Sequence, residues 1–279
     1  MEAPKAFTLT AHGAEMPVIG FGTMKLPDRP AELVTAAINA GYRHIDTARK
    51  YGTEERVGEG IRASGISRDE LFLTTKVTEE NARQADFRRS VETSLKTLGM
   101  DYVDLLLIHW PQPKVPLDET LGALAKAKQD GLTRHIGVSN FTVPLLDEAV
   151  RLCPEPLVTN QIEYHAYLSQ DKLLVACHRH GLIVTAYCPV ARGELLVDPV
   201  VGEIAKEKGK TNAQIALRWL IQQPMTAAVP RALEPAHITE NIDLFNFSLS
   251  DEEMDRLGKL RNRNLRIADP PERAPVWDV

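Results

Sequence analysis

Two periodicities take turns along this chain. Short apolar runs of strand length end in a polar residue, and between them apolar residues recur at helical spacing until a glycine stops them. The opening differs: residues 7–10, a His12-Gly13 turn and residues 16–19 read as a small β-hairpin ahead of the main fold. Strands follow at 19–23, 44–46, 71–76, 102–109, 133–138, 157–161, 182–187 and 226–229. Helices fall between them at 30–40, 54–61, 86–98, 121–128, 143–151 and 173–180, and the first of these turns Leu33, Ala37 and Ile38 to one face. Two more, 200–208 and 212–222, precede the last strand, and 235–241 and 250–257 close the chain. Thr211 with Gln214, and Ser250 with Glu253, have the spacing of capping boxes.

Strand ends fall near Gly22, Asp46, Lys76, His109, Ser139, Gln161, Tyr187 and Val229. Six of the seven gaps are 22 to 33 residues, one strand–helix unit each, and the last is 42 because it holds an extra helix. Eight units without a long linker predict an α/β fold: a closed (β/α)8 TIM barrel with an N-terminal β-hairpin and two extra helices, one domain over residues 1–279. The rival is an open doubly wound sheet. It usually has fewer strands, and Gly20-Phe21-Gly22 lacks the third glycine of a dinucleotide fingerprint.

Composition narrows the function classes. Thirty-three Lys and Arg against 38 Asp and Glu give a net charge of −5, which argues against a dedicated nucleic-acid binder. Cys153, Cys177 and Cys188 match neither a disulfide framework nor metal-ligand spacing, so no metal and a reducing, cytoplasmic setting are expected. The first residues lack the charged start and apolar run of a signal peptide, and no run of 18 uncharged apolar residues suggests a membrane span.

In a barrel of this kind the loops after the strands form one face, where chemistry sits. Asp46, Lys76, His109, Ser139, Asn140, Gln161 and Tyr187 all lie at or just past a strand end. Any one of them alone reads as a strand terminus meeting water; seven on one face do not. Tyr51 follows the second strand by five residues, enough to curl over the mouth. A phenol is a poor acid near neutrality, and a nearby ammonium is expected to lower its pKa. Asp46 would hold the Lys76 ammonium charged and aimed, and His109 would hydrogen-bond a carbonyl. That set suits protonation of an oxyanion as a hydride arrives, and the hydride must come from a cofactor. A Schiff-base aldolase with Lys76 as nucleophile is one alternative. A nucleotide-binding, redox-sensing subunit with little turnover is another.

Four segments carry a resemblance. They are Gly41-Tyr42-Arg43-His44-Ile45-Asp46-Thr47-Ala48 with Tyr51-Gly52, Glu54 and Val57-Gly58; Asp104-Leu105-Leu106-Leu107-Ile108-His109-Trp110-Pro111; Gly137-Val138-Ser139-Asn140-Phe141; and Asn160-Gln161-Ile162-Glu163-Tyr164-His165. In this order they resemble the signatures of the aldo-keto reductases, closest to the bacterial branch that includes 2,5-diketo-gluconate reductases. The resemblance implies an NAD(P)H-dependent reductase of aldehydes and small ketones. Tyr51 would be the general acid, Lys76 and Asp46 its tuning pair, and His109 the group that orients the carbonyl. Ser139, Asn140 and Gln161 would bond the nicotinamide carboxamide and Tyr187 would stack on its ring. Gly22, Thr23, Cys188, Arg231, His237, Glu240 and Asn241 would meet the rest of the cofactor, with Glu240 and Asn241 at the adenine end. A monomer is expected by the same likeness.

The chain departs from the family pattern where the cofactor's phosphate should lie. Arg231 and Ala232 stand where lysine and serine are usual, and His237 where arginine is usual. A charge, a hydroxyl donor and an always-charged guanidinium thus become an arginine, a methyl and a ring that is mostly neutral. Glu234 nearby disfavours a 2′-phosphate further. NADPH is therefore the expected cofactor with a reduced margin, and NADH the alternative. Cys188 replaces a common serine, and Met24 a common aromatic residue. Phe21, Met24, Trp110 and Trp277 are expected to form an apolar substrate rim, covered by a C-terminal tail at about 261–279. The short, proline-stiffened loop 111–117 implies an open pocket. Lys25 and Lys50, the charges that could hold a sugar acid, read by default as solvated surface.

Overall fold

The computed structural model describes residues 7–26 and 29–278. Residues 1–6, 27–28 and 279 lie outside that description, and with them the opening residues read for a signal peptide. A hairpin of β1 (Thr8–Ala11) and β2 (Ala14–Pro17) comes first. Strands and helices then alternate: β3 (Phe21–Gly22), α1 (Pro30–Asn39), β4 (His44–Asp46), α2 (Glu54–Ser64), β5 (Phe72–Val77), α3 (Gln84–Leu98), β6 (Val103–Ile108), α4 (Leu117–Gln129) and β7 (Thr133–Ser139). After these come α5 (Val143–Leu152), β8 (Leu157–Glu163), α6 (Asp171–Arg179), β9 (Ile183–Tyr187), α7 (Pro199–Lys208), α8 (Asn212–Ile221), β10 (Thr226–Ala228), α9 (Pro235–Ile242) and α10 (Asp251–Gly258). Relative to eight strand–helix pairs, α7 and α10 are the two additions.

β3 to β10 pair in parallel with consecutive neighbours, and the two ends of the sheet meet. Gly20 N donates to Ala228 O at 2.9 Å, Gly22 N to Pro230 O at 2.8 Å, and Ala228 N to Val18 O at 2.9 Å. Those bonds close the (β/α)8 barrel and leave it no edge. The closure needs glycine: a Cβ on Gly20 would come within 2.7 Å of His44 Nδ1, and one on Gly22 within 2.7 Å of Val229 O. The hairpin plugs the end of the barrel away from the strand C-termini. Its Met16 is fully buried with Phe72, Leu105, Leu107, Val158, Ile183 and Ala227, a contribution of about 1.5–3 kcal/mol for such a side chain.

Both capping boxes form, on α8 and α10. The main boundary error is α4, expected from 121 but starting at Leu117. Its first turn is Asp118, Glu119 and Thr120, good residues for a helix N-terminus that carry no apolar period to read. No helix among the described residues is long and apolar enough to cross a membrane.

Candidate active site

The period of two decides which side chains enter the barrel. On β4 these are His44 and Asp46, on β5 Phe72, Thr74 and Lys76, and on β6 Leu105 and Leu107, with His109 next in phase. Ile45, Leu73, Leu106 and Ile108 pack instead with the helices in the outer core. Polar side chains on the inward phase therefore meet at the C-terminal mouth. Lys76 Nζ donates to Asp46 Oδ1 at 2.6 Å, to Thr47 O at 2.8 Å and to Tyr51 Oη at 3.5 Å. Tyr51 and His109 pack edge to face with ring centroids 5.8 Å apart. Lys76 and Asp46 are buried, His109 nearly so, and Tyr51 half-buried. Lys76 has all three of its donor directions committed, which leaves no free amine and argues against the aldolase alternative.

Electrostatics correct one expectation. Burial, then the Asp46 carboxylate, raises the Tyr51 phenol well above its ordinary value, so the ammonium does not lower it and the resting group is a protonated acid. Burial also lowers Lys76, with Asp46 opposing that effect. His109 is pushed well below its usual value by burial first, then by Lys76, Lys50 and Arg273, so the imidazole is neutral. Its Nδ1 has no hydrogen-bond partner among the described residues.

The second group of strand-end residues is tied to the first. Gln161 Nε2 donates to Asp46 Oδ2 at 2.7 Å. Ser139 Oγ donates to Gln161 O at 2.8 Å, and Asn140 Nδ2 to His109 O and Ser139 Oγ at 2.9 and 3.0 Å. Tyr187 Oη donates to Asn140 Oδ1 at 2.6 Å, which fixes the angle of a partly exposed ring at the mouth. Asn140 and Cys188 sit at φ 63° and 51°, sharp turns just past β7 and β9. The half-buried Cys188 thiol is raised by burial. Thr23 Oγ1 donates to Asp46 O at 3.0 Å, and Gly22 lies in the closing strand, so both shape the backbone under Asp46.

The remaining residues divide. Arg231 is exposed in the loop before α9 and His237 in its first turn, and Arg231 Nη1 donates to Lys25 O at 2.8 Å. Glu240 accepts from Thr211 Oγ1, the cap of α8, at 2.6 Å, and Asn241 is buried. Phe21 does not reach the rim. It is fully buried in the outer core, edge-on to Tyr42 at 5.8 Å, because residue 21 has the outward phase of β3. Met24 is half-buried. Trp110 lies under the tail, edge-to-face with Trp277 at 6.1 Å.

The tail after α10 is anchored by a residue that the sequence reading quoted without a role. The buried Glu163 carboxylate, at the end of β8, accepts from Ile267 N at 2.7 Å, Ala268 N at 2.6 Å and His165 Nε2 at 2.9 Å. Farther on, Asp278 accepts from Val143 N at 2.8 Å. An acid ending a buried strand was the available signal.

The model of the aldo/keto reductase family matches residues 18–262. The chain belongs to that family. It is 43% identical over 258 residues to aldo-keto reductase Rv2971 of Mycobacterium tuberculosis, spanning 92% of this chain and 91% of that one. With a glyoxal reductase of Bacillus subtilis the identity is 40% over 263 residues, 94% of each. A crystal structure of a protein provisionally named 2,5-diketo-D-gluconic acid reductase B superposes with a TM-score of 0.96 at 43% identity, covering 98% and 97% of the two chains. An aldo-keto reductase of Bombyx mori, solved in complex with NADP, gives 0.89 at 34% identity over 98% and 97%. This aldo/keto reductase is accordingly an NAD(P)H-dependent oxidoreductase acting on carbonyl groups.

Proposed function

We propose that the enzyme reduces aldehydes and small ketones with Tyr51 as the general acid. The observation that supports this most directly is Lys76 Nζ, shared between Asp46 at 2.6 Å and the Tyr51 hydroxyl at 3.5 Å beside a neutral His109. The nicotinamide, when bound, supplies the hydride to the carbonyl carbon. Tyr51 gives its proton to the carbonyl oxygen, and the neutral His109 donates an N–H to the same oxygen. The phenolate left behind then faces the Lys76 ammonium. At about 4 Å and an effective dielectric near 20 such a pair is worth roughly 4 kcal/mol. The lysine thus acts on the charge that develops, which reconciles it with a resting phenol that burial keeps protonated.

The residues present fit a nicotinamide. The Tyr187 ring, braced by Asn140, offers a flat surface at the mouth, and Ser139, Asn140 and Gln161 bring a hydroxyl and two amides next to it. His237, exposed in the first turn of α9, and Arg231, exposed in the loop before it, suit the phosphate of the cofactor's other end. NADPH is preferred over NADH by a narrow margin, because Ala232 has no hydroxyl and His237 no permanent charge. Glu240 contributes less than the resemblance implies, since its carboxylate already serves Thr211.

The test is a steady-state assay of wild type and Tyr51→Phe with a generic aldehyde and either cofactor. Turnover by the variant should fall by orders of magnitude while cofactor affinity stays near that of wild type, the pattern of a group used only in the transition state. Wild-type turnover in Tyr51→Phe would show that another group donates the proton.

A further inference from the structure

Tyr51, the acid of the proposed reaction, stands on backbone that the barrel sheet does not hold. β4 ends at Asp46, and Thr47 N makes the last backbone bond from this segment to β5, to Thr74 O at 2.9 Å. The tight turn of Arg49–Tyr51 then bonds to itself, with Tyr51 N donating to Ala48 O at 3.0 Å and Gly52 N to Arg49 O at 3.2 Å. Side chains must therefore fix where the phenol sits. At 3.5 Å from Lys76 Nζ it is already at the limit of a hydrogen bond, so a small shift of the turn breaks the contact.

Glu54, the first residue of α2, spans that gap. It is 2% exposed; its Oε1 accepts from Thr75 Oγ1 on β5 at 2.7 Å and its Oε2 from Arg49 Nη1 in the turn at 3.4 Å. Thr75 has the outward phase of β5, so Glu54 grips the strand from the helix side, at the residue next to the inward-pointing Lys76. Lys50 makes a second tie, to Glu79 Oε1 just past β5 at 2.7 Å. Lys50 lies at the surface on a flexible stem, where such a pair contributes little, whereas Glu54 is fixed in the packed interior. The buried carboxylate is the stiffer tie.

An anchor of that kind does not need a charge. Burying a carboxylate is costly, and one hydroxyl with a partly exposed guanidinium offsets little of that cost. The further partner is Lys76. Around its ammonium stand Asp46 and His44 of β4, Tyr51 of the turn and His109 past β6. Burial keeps both imidazoles neutral and the phenol protonated. The carboxylates that favour a charged Lys76 against its own burial are Asp46 and then Glu54.

We propose that Glu54 is a positioning residue for the Tyr51–Lys76 pair: through Thr75 and Arg49 it holds the turn that carries the phenol against the strand that carries the ammonium. Without it the turn moves off β5, and the phenolate formed as the proton departs loses its counter-charge. Glu54 lies on the helix side of β5 and acts only through these neighbours. This deepens the reading of Tyr51 as general acid and rests on it.

The experiment measures single-turnover oxidation of bound NADPH by butanal in the full-length protein, with NADPH affinity taken from quenching of protein fluorescence. Glu54→Ala should slow the single turnover by about ten- to a hundredfold, the effect of a small misplacement of a reacting group, with NADPH affinity unchanged. Glu54→Gln keeps an oxygen for Thr75 Oγ1 and should recover most of the rate near neutral pH. Having lost the charge, it makes Lys76 give up its proton more readily. The alkaline limb of its pH–rate profile should therefore lie lower than in wild type by roughly half a unit, less than a carboxylate in contact would give. Thr75→Val removes the donor and keeps the charge; it should also slow the step, and it serves where Glu54→Ala does not fold. Glu54→Ala or Thr75→Val at the wild-type rate per bound NADPH, whatever stability is lost, overturns the proposal, and so does Glu54→Gln no faster than Glu54→Ala. Tyr51→Phe, measured in parallel, separates the two readings. A wild-type rate there removes the acid assignment itself, whereas a slow Tyr51→Phe beside a fast Glu54→Ala removes only the role of Glu54.

Discussion

Asp46 and Gln161 join opposite walls of the barrel: Gln161 Nε2 on β8 donates to Asp46 Oδ2 on β4 at 2.7 Å, four strands away around the closed sheet. The other oxygen of the same carboxylate holds Lys76. One buried acid therefore couples the Lys76–Tyr51 pair, the proposed proton donor and its partner, to the residues proposed for the nicotinamide. Gln161→Leu leaves Asp46 Oδ2 buried and unpaired. We expect a loss of about 1–3 kcal/mol in urea unfolding; an unchanged midpoint would mean that the bond contributes nothing.

Lys76 and Asp46 form a buried pair, and removing one partner strands the other. Lys76→Met should abolish turnover and destabilise the fold by about 3–5 kcal/mol. Adding Asp46→Asn should recover part of that stability but none of the activity. Chemical denaturation of the single and double variants measures the difference, and a double variant no more stable than the single would refute the argument.

Stability should fall in mild acid because of a buried histidine one inward position below Asp46 on β4. His44, inside the barrel with Nε2 3.0 Å from Thr74 Oγ1, is pushed from 6.5 down to about 4, chiefly by burial. Its folded pKa lies below its unfolded one, so the folded state binds fewer protons between these values. The stabilisation is present above pH 6.5 and is lost as pH falls toward 4, up to about 3 kcal/mol. Urea unfolding at a series of pH values should show that decline, with a shallower slope in His44→Gln. Equal slopes would assign the acid sensitivity to other groups.

The tail depends on a carboxylate that contacts its backbone. Glu163→Ala removes the acceptor for Ile267 N and Ala268 N. Amide exchange at those two positions should speed up by at least an order of magnitude, with the barrel strands still protected. KM for the carbonyl substrate should rise more than kcat falls. If protection at 267 and 268 is unaltered, the other tail contacts suffice.

What the chain determined by itself was local. Alternating periods, two capping boxes and glycine stops located every strand of the barrel to within a few residues, because hydrogen bonds inside a helix and side-chain parity along a strand depend on near neighbours. Polar residues at Asp46, Lys76, His109 and Gln161 also marked one face as chemical, since a strand end is a local feature. Closure decided the rest. Only the bonds between residues 18–22 and 228–230 show that the sheet shuts, and only strand phase shows Phe21 in the outer core rather than on the rim. The raised Tyr51 phenol, the cross-barrel bond to Gln161, the grip of Glu163 on the tail and the meeting of Lys50 with Arg273 through Glu79 all join groups far apart in the chain or depend on how deeply they are buried. Burial and distance are set by how the whole barrel packs, and no short stretch of residues contains them.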